Sequence, residues 1–165
     1  MTVTPAAPKT APATSLQFFV PGKARQQGNH RVNAHGALYE TTKGLDTWRK
    51  VIVTMARSAM ARAHWQRIDG AARIDLTFFR ERPKKHFRTG RYSHLLRDDA
   101  PIFDTTPPDG DKLLRAVGDA LTTAGVWEDD ARLARFVVTK LWANPGEPPG
   151  AQVIVREMRN TRPQP

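Results

Sequence analysis

Six of the chain's sixteen acidic residues, Asp109, Asp111, Asp119, Glu128, Asp129 and Asp130, fall between Pro107 and Asp130, beside only two cations, Lys112 and Arg115. That segment carries −4 in a chain of +10, so the remainder carries +14. An acidic island repels itself unless a cation sits in it, and a divalent metal that takes hard oxygen ligands is the natural occupant. Asp109 and Asp111 stand two apart, and the flanking Pro108 and Gly110 favour extended backbone, so both side chains can point to one side as paired metal ligands. Arg115 keeps its charge at any working pH and would neutralise a phosphate instead of carrying a proton. A plainer account stands beside this one. Asp111 lies where an N-cap is expected, turn chemistry accounts for Asp129 and Asp130, and Arg115 is spaced for i,i+4 ion pairs with Asp111 and Asp119.

The element that must position these residues is a helix with apolar positions Leu113, Leu114, Val117, Leu121 and Ala124, its C-terminal end marked by Gly125. Gly118 inside it costs about 1 kcal/mol relative to Ala, for which close packing would be the reason. Upstream, Ser15 to Val20 reads as a strand stopped by Pro21-Gly22, and Lys23 to Gly44 as a polar loop, either solvated or phosphate-contacting. Leu45, Trp48, Ile52, Met55 and Ala59 recur at helical spacing over Leu45 to Trp65. Ala72 to Phe79 alternates as a half-buried strand does. Ala100 to Pro108 reads as an extended connection. Arg132 to Leu141 and Gln152 to Glu157 read as strands paired as a hairpin through the turn residues Asn144 to Gly150. This order predicts a single α+β domain: a mixed sheet of about four or five strands with two main helices packed on it. Residues 1–14 are expected to be a disordered tail, 15–157 the domain, and 158–165 a flexible tail.

A pI near 10.7 favours nucleic acid as partner. Between Arg80 and Asp98 seven Lys or Arg face two acids, and Phe87 and Tyr92 interleave with them. Arg82, Lys84, Lys85, Arg88 and Arg91 are therefore expected to hold a DNA backbone. With no cysteine, disulfides, zinc ribbons and thiol nucleophiles are excluded. His86 and His94 have no carboxylate or histidine at ligand spacing. No run of 18 or more apolar residues suggests a membrane span, and no basic-then-apolar leader is evident, so a cytoplasmic location is expected, with no membrane partner.

The run Pro108-Asp109-Gly110-Asp111-Lys112-Leu113-Leu114-Arg115-Ala116, then Asp119-Ala120-Leu121, Ala124-Gly125-Val126-Trp127 and Asp129-Asp130, closely resembles the core motif of the RusA family of Holliday junction resolvases. The order of elements fits that family over roughly Leu16 to Glu157. The resemblance implies a homodimeric, Mg²⁺-dependent endodeoxyribonuclease, with Mn²⁺ as a substitute metal, that resolves four-way DNA junctions by paired nicks in recombination and repair. It places Asp109, Asp111 and Asp130 on the family's metal-binding catalytic aspartates, and Arg115 on a functional lysine. Lys112, where many members carry Asn, is expected to contact DNA. The Lys112/Arg115 pair also occurs in phage-type relatives, which implies a bacterial or phage-infected host cell. Two alternatives remain: a basic DNA-binding module without catalysis, or a nuclease for flaps and other branched DNA. Two symmetric cuts from a chain with one aspartate constellation imply a two-fold dimer, for which Trp127 and Trp142 are the expected anchors.

Overall fold

Alternate residues Ala72, Ile74, Leu76 and Phe78 of the segment Ala71–Arg80 are apolar and at most 1% exposed, which makes this strand the spine of the sheet. The computed structural model of the chain describes residues 14–158 apart from 29, 33, 36, 37 and 41. The expected tails, apart from residues 14 and 158 themselves, lie outside the described residues. In chain order the elements are β1 (Ser15–Pro21), β2 (His30–Val32), β3 (Leu38–Glu40), α1 (Leu45–Ala63), β4 (Ala71–Arg80), α2 (Gly110–Ala124), β5 (Leu133–Trp142) and β6 (Gly150–Met158). Short 3-10 turns at Lys84–His86, Gly90–Tyr92 and Asp130–Arg132 complete them.

The main sheet has the order β1-β6-β4-β5. β6 runs antiparallel to both β1 and β4, whereas β5 runs parallel to β4, with Leu76 opposite Val138. The sheet is therefore mixed, with two helices on it, and the α+β reading holds. The expected β5–β6 hairpin does not form, because β4 lies between the two strands. The connection from Ala143 to Pro149 is longer than the two to five residues of tight hairpins, and it steps over one strand. The segment read as a polar loop also contains structure: β2 and β3 form a separate antiparallel pair.

Both helices lie on one face. α1 buries Leu45, Trp48, Ile52, Ala56 and Ala59, and α2 buries Leu113, Val117 and Leu121 among others. Each of the three large α2 residues contributes roughly 1.5–3 kcal/mol by leaving water. Arg49 of α1 reaches Asp119 of α2 at 2.8 Å and staples the helices together. This pair takes one of the two acids spaced for an i,i+4 pair with Arg115. Trp127 is 1% and Trp142 9% exposed, so neither anchors a surface contact. Trp127 donates its Nε1–H to Thr122 Oγ1 at 2.8 Å, and Trp142 packs edge-on against His86. Gly118 is not explained by close packing, since a Cβ built on it meets nothing within 4 Å.

Candidate active site

α2 begins one residue after Asp109, whose backbone (φ −69°, ψ 145°) is the extended N-cap, so Asp111 is the second helical residue and not the cap. The early start is made possible by Gly110, where a Cβ would stand 3.3 Å from Val138 Cγ1 of β5; the helix head therefore presses directly on the strand. Asp109 makes no side-chain capping bond. Its carboxylate instead pairs with Lys112 Nζ at 2.9 Å. The Lys112 ammonium, and at longer range that of Lys140, hold the Asp109 carboxyl below its usual range. The same pair raises Lys112 above the ordinary lysine value. A backbone bond from Gln27 N–H to the Lys112 carbonyl (3.1 Å) ties the first turn of α2 to the segment after β1.

Asp111 opens onto a cleft of about 590 Å³ walled by Phe103, Leu114, Phe136, Val138 and Lys140. Its floor is a polar cluster absent from the sequence reading. The Asp104 side chain is fully buried. It accepts from the Thr106 hydroxyl (2.6 Å), the Thr106 backbone N–H (3.0 Å) and Arg80 Nη1 (2.9 Å). Burial pushes this carboxyl up, but the bonds from Thr106 and Arg80 outweigh it and the net shift is down. Arg80 Nη1 also donates to the Pro107 carbonyl at 2.7 Å, two residues before Asp109. Lys140 Nζ donates to the Thr106 carbonyl at 2.5 Å. The connection preceding the aspartates, which includes a cis Pro107–Pro108 bond, is thus held against β4 and β5 on both sides. A lone Asp among prolines and threonines gave no signal, because its partner Arg80 lies 24 residues earlier.

The remaining expected site residues lie apart from this pair. Arg115 is exposed on α2 one turn beyond Asp111, with no ion pair among the described residues. Asp130 is exposed at the start of the turn before β5. Gly110 abuts Val138, and Leu133, where β5 begins, lies roughly 16 Å back along the strand from that residue. Among the described residues no group of three or more His, Asp or Glu side chains stands close enough to hold one ion. Mg²⁺ commonly takes one or two carboxylates together with substrate phosphates. The exposed pair Asp109 and Asp111 fits that pattern, and Asp130 of the same chain stands away from it. Asp129 accepts the Ala131 N–H at 2.7 Å, the turn role expected of it.

The basic loop divides into structural and free cations. Arg82 donates to the carbonyls of Ala143 and Pro101, both at 2.8 Å, and so fastens the loop to the sheet end. Arg88 donates to Leu96 O and pairs with Asp98 at 2.7 Å. Lys84 and Lys85 are exposed, and Arg91 stacks over Tyr92 at 4.6 Å. His86 is buried beneath them; desolvation, with Arg82 and Lys85 nearby, holds its imidazole below the usual value.

No helix of the described residues is long and apolar enough to cross a membrane. A comparison with curated protein sequences returns no match. A family model described as endodeoxyribonuclease RusA matches residues 21–156, most of the chain, including β4, α2 and β5 in full. The chain therefore belongs to the RusA family of endodeoxyribonucleases, enzymes that resolve Holliday junctions in branched DNA.

Proposed function

We propose that the domain, residues 15–157, is a Mg²⁺-dependent, homodimeric resolvase that cuts four-way junctions by paired nicks in recombination and repair. What carries this reading is the pair of exposed carboxylates at the head of α2, Asp109 and Asp111, beside a cleft with a lysine in its wall. Asp109 and Asp111 would hold the metal, Mg²⁺ with Mn²⁺ as substitute. When bound, the metal activates water and stabilises charge on the attacked phosphate. Lys112 neutralises Asp109 in its absence and is placed to turn to the DNA backbone. Arg115, one turn on, supports charge on the phosphate, and Lys84, Lys85 and Arg91 hold the backbone from the loop, with Arg88 beside them and Arg82 fastening it.

Asp130 joins the pair through the second copy. The outer edge of β5 is bonded to Ile102–Asp104 at Lys140 and Trp142, but the earlier part, with exposed Phe136 and Val137, carries no strand among the described residues and is the kind of edge that another strand covers. A two-fold copy set antiparallel along it would bring the start of one β5, with its Asp130, beside the later part of the other, where Asp109 and Asp111 stand. Each site would then use both chains.

Labelled four-way junction, flap and plain duplex, each incubated with and without Mg²⁺, test the reading. Metal-dependent, paired nicking of the junction in preference to the others is expected. Preference for the flap would keep the site and change the substrate; binding without cleavage under any divalent metal would refute the enzyme.

A further inference from the structure

Because strand side chains alternate, burying Ala72, Ile74, Leu76 and Phe78 under the helices turns Arg73, Asp75, Thr77 and Phe79 of β4 to the opposite face. No described element packs over that face. The register sets Arg73 directly opposite Arg156 on β6 and Arg135 on β5, so three arginines form one row across three adjacent strands. At about 4.8 Å per strand the row is roughly 10 Å wide. Like charges directly opposite one another destabilise a sheet. A single carboxylate offsets them: Asp75 accepts from Arg73 at 2.9–3.1 Å and lies 3.7 Å from Arg156. Arg135 is exposed and has no ion pair among the described residues.

We propose that this uncovered sheet face is a second DNA-backbone surface, on which the row Arg135, Arg73, Arg156 holds one arm of the branched substrate. The identity of the polyanion rests on the nuclease reading; the placement rests on the row. Repulsion that the fold leaves largely uncompensated is relieved by phosphate. β5 links the two surfaces, since Phe136, Val138 and Lys140 face the cleft while Arg135 and Val137 face the row. The row thus adds to the basic loop a separate contact that senses arm length and leaves the chemistry alone.

The test uses the full chain with Arg135→Gln and Arg156→Gln combined, leaving the Arg73–Asp75 pair intact. Binding of a metal-free junction is followed by fluorescence anisotropy over a salt series, with full-length arms and with arms trimmed toward the branch point. On long arms the log-log salt slope should fall by about 1.8, or 0.9 per lost phosphate contact. On trimmed arms the variant should match wild type, and cleavage of saturated junction should be unchanged. Asp75→Asn, which removes the competing carboxylate, should bind long-armed junction more tightly. A wild-type slope for the double variant, an Asp75→Asn protein that binds no tighter, or a changed oligomeric state in place of a changed slope would overturn the proposal. Failure of wild type itself to bind or cut the junction would instead overturn the nuclease reading.

Discussion

The Nζ of Lys112 lies 2.9 Å from Oδ2 of Asp109, across the first turn of α2. The carboxylate is thereby kept ionised well into the acid range, ready for a cation, while its charge is masked from an approaching polyanion. Replacing either aspartate of the pair by asparagine should lower cleavage at least about 100-fold, because a ligand that fixes several kcal/mol of charge stabilisation is lost. Junction affinity should hold or improve, since a repulsive charge goes with it. Gel-shift and single-turnover cleavage of Asp109→Asn and Asp111→Asn measure both quantities.

A site shared between two chains makes a complementation prediction. Asp109→Asn and Asp130→Asn should each be inactive alone. Mixed as heterodimers, they contain one pairing in which both aspartates are intact, so nicking should return without paired cutting. Light scattering should give close to twice 18.5 kDa for each protein. A mixture as inactive as its parents would place Asp130 in the site of its own chain and not its partner's.

The cations of the basic loop should separate by what they touch. Neutralising Lys84, Lys85 and Arg91 together should lower the salt slope of DNA binding by up to about 2.7, with the melting temperature unchanged. Arg82→Ala removes two bonds to main-chain carbonyls and should instead destabilise the fold, by about 1–3 kcal/mol. Denaturant melts alongside anisotropy titrations distinguish the two outcomes.

Gly118→Ala should stabilise the protein by about 0.5–1 kcal/mol, because the helix gains a better former and the new methyl meets no atom within 4 Å. A lowered melting temperature would show that the glycine serves an approach by something outside the single chain.

His86 gives a pH dependence with a definite sign. Its folded value lies below the unfolded 6.5, chiefly because the ring is buried, so the unfolded chain binds more protons in the window between them. Its contribution is complete above pH 6.5 and is lost as pH falls from there through the folded value. Stability of the wild type should decline over that window, and His86→Phe should decline less.

Local pattern was enough to locate α2, the spine strand β4 and the strands β1, β5 and β6 within one or two residues, because periodicity and turn residues act over a few positions. Partners were not legible where they are distant. The turn-rich Asn144 to Gly150 invited a hairpin, yet β4, more than fifty residues upstream, intervenes. Helical spacing offered Asp119 as one possible partner of Arg115, but Arg49, 70 residues away, holds it. Asp104 is buried only because Arg80 and Thr106 meet it there. The tryptophans looked like surface anchors on residue type alone, whereas the large exposed apolar side chains among the described residues are Tyr92, Leu95, Ile102, Phe103, Phe136 and Val137. That Asp109 and Asp111 stand together was readable because they sit within three residues; that no described group of three such side chains gathers Asp130 with them was not, since a helix and a turn intervene.

The position of β6 governs when this protein can act. The final described strand in sequence occupies the interior of the sheet, pairing β1 on one side and β4 on the other. Until Gly150–Met158 has emerged from the ribosome, β1 and β4 have nothing to join them, and the helices lack a continuous surface to pack on. A nascent chain carrying every aspartate of the proposed site thus still lacks the strand that joins the two halves of the sheet beneath them.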